Sequence, residues 1–212
     1  ATGGISVKFN WDNIVFQMLG KLVDCVWVSI LWVICCIPVF TIGASTTALY
    51  YTVHKSIRGD RGYTTRTFFG AFRDNFKAAT LPYLIWLAVM IVLGCDAYIT
   101  YQVLKTGSMK GAFFYFFLVM IAVAIMWSAF LFPYIARFEN GIFATLRNAL
   151  LLAAVNIPFT IVITGLSVGS LIVTLFTSRS FVVASILWVF FGFAVLSYAQ
   201  SFLLCRIFEK YE

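Results

Sequence analysis

Long apolar runs separated by short polar stretches dominate this sequence of 212 residues. The length of each run is close to the roughly 20 residues that an α-helix needs to cross a bilayer. The pattern predicts five clear crossings, at residues 22–40, 81–104, 112–136, 143–176 and 181–204. Because residues 143–176 exceed one straight crossing and contain Asn156 and Pro158, we expect a kink there. The predicted fold class is all-α, a polytopic transmembrane helical bundle.

Two shorter stretches complete the pattern. Residues 10–21 place apolar side chains on one side of a helix, which is typical of an interfacial helix along the lipid headgroups. Residues 41–57 predict a short helix that is a sixth crossing, a re-entrant hairpin arm or an interfacial helix. This choice decides the side of the N-terminus, and without a recognisable cleavable signal we favour an N-terminus inside.

The composition agrees with membrane insertion. Hydrophobic residues make up 62% of the chain and charged residues 11%, against roughly 25% charged residues in soluble domains. The net charge of +7 lies in short segments between apolar runs, so positive-inside topology explains it better than nucleic-acid binding. Residues 55–77 carry six basic and two acidic side chains. We therefore expect this segment and the C-terminus on the cytoplasmic side of the cell membrane.

Residues 41–48 form a block of small and hydroxyl-bearing side chains. Inside lipid, helices associate through close backbone approach and interhelical hydrogen bonds, and such side chains allow both. Gly43, Ser45 and Thr47 are predicted to pack this helix against the preceding one; the alternative is a polar lining for a substrate path. Gly165 and Gly169 form a GxxxG motif, which predicts packing against another helix of the chain or against a partner subunit.

The polar segment 58–77 combines basic and aromatic side chains. Its phenylalanines recur at helical spacing, which predicts an amphipathic helix leading into the next crossing. Such a helix either rests on anionic lipid or presents its aromatic side chains to another protein. The residues predicted to make these contacts are Phe68, Phe69, Phe72, Phe76, Arg66, Arg73 and Lys77.

The sequence contains few residues suited to chemistry. The five cysteines lie in or beside apolar runs without metal-ligand spacing, and His54 is the only histidine, so we expect no metal site. Neither a GxxxxGK[ST] phosphate-binding motif nor a Ser/His/Asp pattern is apparent, so direct ATP binding and hydrolytic catalysis are not expected. We predict a protein that is not an enzyme and uses no cofactor.

The stretch LWVICCIPVFTIGASTTALYYTVHKSIRGDRGYTTRTFFGAFRDNFKAATL, residues 31–81, resembles the YesL-like family of integral membrane proteins from Gram-positive bacteria, domain of unknown function family 624. The features that carry the resemblance are Pro38, the TIGASTTALYY block, the pair Arg58 and Gly59, and the stretch from Asn75 to Thr80. The resemblance implies no established activity and no catalytic residues. It implies a role near oligosaccharide uptake, because such proteins commonly accompany carbohydrate ABC importers and polysaccharide-degrading enzymes.

Two functions are compatible with these features. The first is a non-enzymatic accessory subunit of a bacterial carbohydrate ABC importer, which binds membrane lipid and permease helices and aids assembly or regulation. Its basic cytoplasmic segment would contact the permease or its ATPase. The alternative is an independent small transporter or channel for a sugar-related solute, whose polar route would use Thr41, Ser45, Thr46, Asn156 and Asp96.

Overall fold

The computed structural model of the chain describes residues 11–58, 63–105, 112–176, 192–208 and 210. These ranges contain helices and connecting turns and no strand, which confirms the all-α fold class. A 3₁₀ turn, Val39–Thr41, and a π-helical turn, Val53–Arg58, flank the second helix. The α-helices are α1 Trp11–Cys36, α2 Ile42–Thr52, α3 Thr64–Asp74, α4 Phe76–Lys105, α5 Ala112–Arg137, α6 Ile142–Val155, α7 Ile157–Phe176 and α8 Phe193–Phe208.

Three helices in the described ranges are each long and apolar enough to cross a membrane: α1 through Leu19–Cys36, α4, and α5 through Phe113–Arg137. The pair α6 and α7 passes the same test together, but it is bent by 101° at the break between the helices. The helix α8 is apolar and shorter. The described part of the chain is thus a membrane-embedded helical bundle with three candidate spans, or four if the bent pair counts as one. Residues 181–191 of the predicted last crossing lie outside the described ranges.

Several helix boundaries differ from the predicted segments. Residues 11–21 are not a separate interfacial helix, because α1 continues without a break to Cys36. The helix α4 begins at Phe76, five residues before the predicted crossing, and it includes Pro82. Residues 143–176 form two helices with a sharp bend at Asn156, rather than one kinked helix. Asn10 and residues 59–62 of the predicted segments are not described.

The short helix α2 lies in the middle of the bundle. It packs against α1, α3, α4, α5 and α8. At a rise of 1.5 Å per residue it is about 16 Å long, roughly half the thickness of the hydrocarbon layer. An interfacial helix would expose one face to lipid, so this enclosed position fits the predicted re-entrant arm better. Seven of its eleven residues are buried: Gly43, Ala44, Ser45, Thr47, Ala48, Leu49 and Thr52.

Hydroxyl groups hold the turn between α1 and α2. After Pro38, the Thr41 hydroxyl lies within hydrogen-bonding distance of the carbonyl oxygens of Cys35 and Pro38, at 2.5 and 2.6 Å. Farther along the hairpin, Trp32 Nε1 donates to Thr46 Oγ1 at 3.2 Å. These bonds supply partners for polar groups at the helix end, which lipid cannot supply. The side chains of Thr41 and Thr46 therefore stabilise the hairpin of α1 and α2 through these hydrogen bonds.

At Gly43, α2 approaches α4 so closely that no side chain fits between them. A Cβ atom on Gly43 would lie 2.5 Å from Tyr83 Cβ and 2.7 Å from the Ala79 carbonyl oxygen. Ala44 and Ala79 are also completely buried. Small residues permit this separation because they let two helix backbones meet. The contact of Gly43 is thus with α4, whereas the sequence pattern pointed to α1.

We predict that Gly43→Ala lowers the free energy of unfolding by about 1–3 kcal/mol, because the added methyl group must displace α4. Equilibrium unfolding in mixed detergent micelles, followed by circular dichroism, measures the change. Gly94→Ala is the matched control, since a Cβ at Gly94 meets nothing within 4 Å. The control should be neutral or slightly stabilising because alanine favours the helix. Unchanged stability of Gly43→Ala would contradict the close approach.

Candidate functional site

Segments that are distant in the sequence meet at one end of the bundle. A cavity of about 590 Å³ lies between α2 with its π-helical turn, the end of α5 and the end of α8. A second cavity of about 380 Å³ shares Tyr51 with it and is bordered by the α3–α4 junction and the turn after α5. We call this the basic end, because Lys55, Arg137 and Arg206 lie on the helix turns that meet there.

The larger cavity, called the basic cavity below, combines basic, hydroxyl and apolar side chains. Its nitrogen-bearing residues are His54, Lys55 and Arg137. The described residues that line it include no Asp or Glu. The rest of the lining consists of Tyr50, Tyr51, Pro133, Ala136, Ser201, Leu204, Cys205 and Phe208.

Cys205 of α8 lies between two of the basic side chains. Its Sγ atom is 3.3 Å from His54 Nδ1, and Arg137 Nη1 donates to it at 3.6 Å. The Arg137 guanidinium also lies over the Phe208 ring, 5.7 Å from the ring centroid, in a cation–π arrangement. These contacts join the π-helical turn, α5 and α8 around the basic cavity. The sequence pattern missed this cluster, since 151 positions separate His54 from Cys205.

Lys55 is held on the cavity wall by its neighbour one turn earlier. Its Nζ donates to the Tyr51 hydroxyl at 2.8 Å and lies 5.0 Å from the centroid of the same ring. Both residues lie where the helix changes from α-helical to π-helical hydrogen bonding. Single π-helical turns occur frequently at functional sites. The ammonium group of Lys55 is therefore placed at the cavity by specific contacts.

A chain of buried hydrogen bonds leads from the cavity wall into the bundle. The Tyr50 hydroxyl donates to Gln200 Oε1 at 2.7 Å. Gln200 Nε2 in turn donates to the Ile163 carbonyl oxygen at 3.1 Å and to Ser167 Oγ at 2.8 Å. Gln200 is only 1% exposed, so its amide depends on these partners. The network ties α2, α7 and α8 together, and a Gln within a predicted crossing was its one signal in the sequence.

Polar side chains also satisfy the backbone at the bend between α6 and α7. Asn156 Nδ2 donates to the Leu152 carbonyl oxygen at 3.0 Å. The Thr160 hydroxyl lies 2.9 Å from the carbonyl oxygens of both Ala153 and Asn156. Pro158 has no backbone N–H, so the bend needs such substitutes within the membrane. The Asn156 side chain therefore bonds to the backbone at the bend between α6 and α7.

The glycines predicted to mediate helix packing occupy two different environments. Gly43 is buried in α2, together with the predicted residues Ser45 and Thr47. On α7, by contrast, a Cβ atom at Gly165 or Gly169 would meet no atom within 4 Å in the described part of the chain. Gly165 is exposed and Gly169 is half-buried. The GxxxG face of α7 therefore makes no close contact with the described helices.

The amphipathic helix predicted in residues 58–77 is divided between α3 and the start of α4. Phe68 is completely buried in the core, so its predicted contact with lipid or a partner is wrong. The reason is that α3 packs back onto α2, and Phe68 fills the space between α3 and the rest of the core. Phe72 and Phe76 are half-buried. The exposed predicted residues are Arg66, Phe69, Arg73 and Lys77.

We predict that Gln200→Leu lowers the free energy of unfolding by about 1–3 kcal/mol, because it leaves the buried Tyr50 hydroxyl and Ile163 carbonyl without this partner. Gln102→Leu, at an exposed position of α4, is the matched control and should change stability by less than about 0.5 kcal/mol. Equilibrium unfolding in detergent measures both variants.

A double-mutant cycle tests the hydrogen bond itself. Tyr50→Phe should cost less in the Gln200→Leu background than in the wild type, with a coupling of about 0.5–1.5 kcal/mol. Additive effects of the two substitutions would contradict a stabilising bond between these side chains.

Comparison with known protein families finds a match, and it covers part of the site described above. A family model described as "Protein of unknown function, DUF624" matches residues 25–97, a range that includes Gly43, His54 and Lys55. Comparison with curated proteins and with solved structures finds no match. The family match confirms the resemblance noted in residues 31–81 and names no activity. Over residues 25–97 the chain is thus similar to the DUF624 family of proteins of unknown function, which is consistent with a YesL-like membrane protein.

Proposed function

We propose that this chain is a non-enzymatic accessory subunit of a bacterial carbohydrate ABC importer. The observation that carries the proposal is the small-residue face of α7 at Gly165 and Gly169, which no described part of the chain covers. The space beside the α2 glycine, Gly43, is already filled by residues of α4. The importer enters the proposal through the family resemblance, because YesL-like proteins commonly accompany such transporters.

The surroundings of the two α7 glycines suit another membrane helix as the partner. Exposed aliphatic side chains flank them, including Ile161, Val162 and Leu166. Lipid tails are as apolar as these side chains, so helix association depends on how closely the surfaces pack. The small-xxx-small motif of Gly165 and Gly169, with aliphatic residues beside it, allows such close packing. The transmembrane helices of a permease supply a matching surface, which supports docking within the membrane.

The position of the basic residues supports a cytoplasmic contact as well. Positive-inside topology favours the basic end in the cytoplasm of a cell-membrane protein. The outward face of α3 offers Arg66, Phe69 and Arg73 at this end. In the proposed complex this face contacts the cytoplasmic part of the permease, its ATPase or the surrounding anionic lipid.

The distribution of polar side chains disfavours the alternative of an independent transporter. Thr41 holds the α1–α2 turn, Thr46 accepts a bond from Trp32, and Asn156 bonds at the α6–α7 bend. None of the five residues proposed for a polar route lines either of the two cavities at the basic end. Local contacts therefore account for three of the five side chains, Thr41, Thr46 and Asn156, better than a continuous path does.

We predict that the tagged chain, extracted from its native membrane in mild detergent, recovers permease and ATPase subunits in stoichiometric amounts. The double substitution Gly165→Leu and Gly169→Leu should lower permease recovery at least about tenfold, because bulky side chains keep the helices apart. Quantitative mass spectrometry of the purified sample measures the ratio.

Gly94→Leu is the matched control for this experiment. It also adds a large side chain at an open position of a membrane-spanning helix, so recovery should stay at the wild-type level. Purification of the wild-type chain alone, together with unchanged sugar uptake after deletion of the gene, would contradict the proposed function. Equal losses for Gly94→Leu and the α7 double variant would assign the effect to folding.

A further inference from the structure

The basic cavity has no part in the proposed docking through α7, and its chemistry points to a ligand. We propose that this cavity binds a phosphate ester, with the phosphate group among His54, Lys55 and Arg137. The organic part of the ligand lies against the aromatic and aliphatic wall. This inference does not rest on the proposed function, because none of its residues belongs to the α7 face.

The size of the basic cavity suits a small organic phosphate. Its volume of about 590 Å³ falls within the range of roughly 300–1,000 Å³ that is typical of ligand sites. Its lining also has the usual composition of such sites, a mostly apolar wall with a few convergent polar groups. These polar groups come from the π-helical turn, α5 and α8. The cavity is therefore large enough for a phosphate with an attached sugar or glycerol group.

The charges on the cavity wall favour an anion. Lys55 and Arg137 bring two basic side chains, and in either neutral tautomer His54 adds one ring nitrogen that can donate a hydrogen bond. The described lining residues contribute no carboxylate. A phosphate ester carries between one and two negative charges and offers several acceptor oxygens. The charge and the acceptor oxygens of such an ester match the basic side chains of Lys55 and Arg137 and the imidazole of His54.

The arrangement around Cys205 brings nitrogen atoms of two side chains within reach of one phosphate. His54 Nδ1 and Arg137 Nη1 lie 3.3 and 3.6 Å from the same Sγ atom. The two nitrogens are therefore within about 7 Å of each other, a separation that two oxygens of one phosphate can bridge. A guanidinium binds such oxygens with directional hydrogen bonds, and a lysine acts as a compact point charge.

A purely structural role for the basic residues is the alternative. The C-terminal ends of α5 and α8 border the cavity, and helix C-termini carry partial negative charge that Lys or Arg can neutralise. That role does not require a cavity of ligand size with an aromatic wall at Tyr51 and Phe208. Two sources could supply the phosphate ester: the headgroup of an anionic lipid, which bundle-end basic pockets bind, or a soluble sugar phosphate.

Binding to the full chain in nonionic detergent tests the proposal. The probes are phosphatidylglycerol and glucose 6-phosphate, with phosphatidylcholine and glucose as the matched compounds without net negative charge; native mass spectrometry measures Kd. At least one anionic probe should bind more tightly than its matched compound. Lys55→Gln should raise its Kd at least about tenfold. Lys77→Gln removes an exposed charge outside the cavity lining and should change Kd less than about twofold.

Alkylation of Cys205 gives a second readout that locates the ligand. A bound phosphate lies next to the Cys205 thiol, so it should slow modification by N-ethylmaleimide with the same concentration dependence as binding. Peptide mass spectrometry measures the rate. Cys95 is the internal control, because it is exposed on α4 and does not line the cavity, and its rate should stay constant.

The outcomes separate the two sources and the structural alternative. Binding of phosphatidylglycerol alone assigns the cavity to a lipid headgroup, and binding of glucose 6-phosphate alone assigns it to a soluble phosphate ester; both support the proposal. No preference for either anionic probe, equal weakening by Lys55→Gln and Lys77→Gln, or unchanged Cys205 alkylation with a bound probe would overturn it. None of these results depends on whether an importer co-purifies.

Discussion

The contact of α2 with α4 at Gly43 is the constraint on which the rest of the bundle depends. No hydrophobic effect draws one helix to another inside lipid, so close packing of the helix surfaces must do so. At Gly43 the side chain of Tyr83 and the backbone of Ala79 fill the space that a side chain would need. With α2 held this close to α4, one short helix also contacts α1, α3, α5 and α8.

The central position of α2 determines where polar groups are placed. The side chains of Tyr50 and Gln200 bond to each other, and Gln200 also bonds to α7, because lipid supplies no partners. Lys55 lies beyond the end of α2, on the turn that reaches the ends of α5 and α8. The uncharged helix α2 therefore lies within the bundle, and the basic cavity lies at its end.

Some of this structure could be predicted from the sequence because the relevant signals are local. The length of the apolar runs indicates membrane helices, since a span requires about 20 such residues. Pro38 and the small residues after it indicate a tight turn and close packing. The partner of Gly43 was not predictable, because spacing within one segment does not identify the helix opposite it.

The basic cavity and the burial of Phe68 depend on tertiary structure. An amphipathic helix such as α3 has the same apolar face whether protein or lipid covers it, so periodicity could not assign Phe68 to the core. The contact between His54 and Cys205 joins two elements whose residues are 151 positions apart in the sequence. A lone histidine and a lone cysteine carry no signal of such proximity. Only the packing of α8 beside the π-helical turn reveals it.

Hydrogen–deuterium exchange of α2 in lipid nanodiscs tests the central position of this helix most directly. Peptides that cover Ile42–Thr52 should exchange as slowly as those from the membrane span of α4, because α2 is enclosed by five helices. Peptides from α3, which has an exposed polar face, should exchange faster. Exchange of α2 as fast as that of α3 would contradict a buried central helix and would favour an interfacial one.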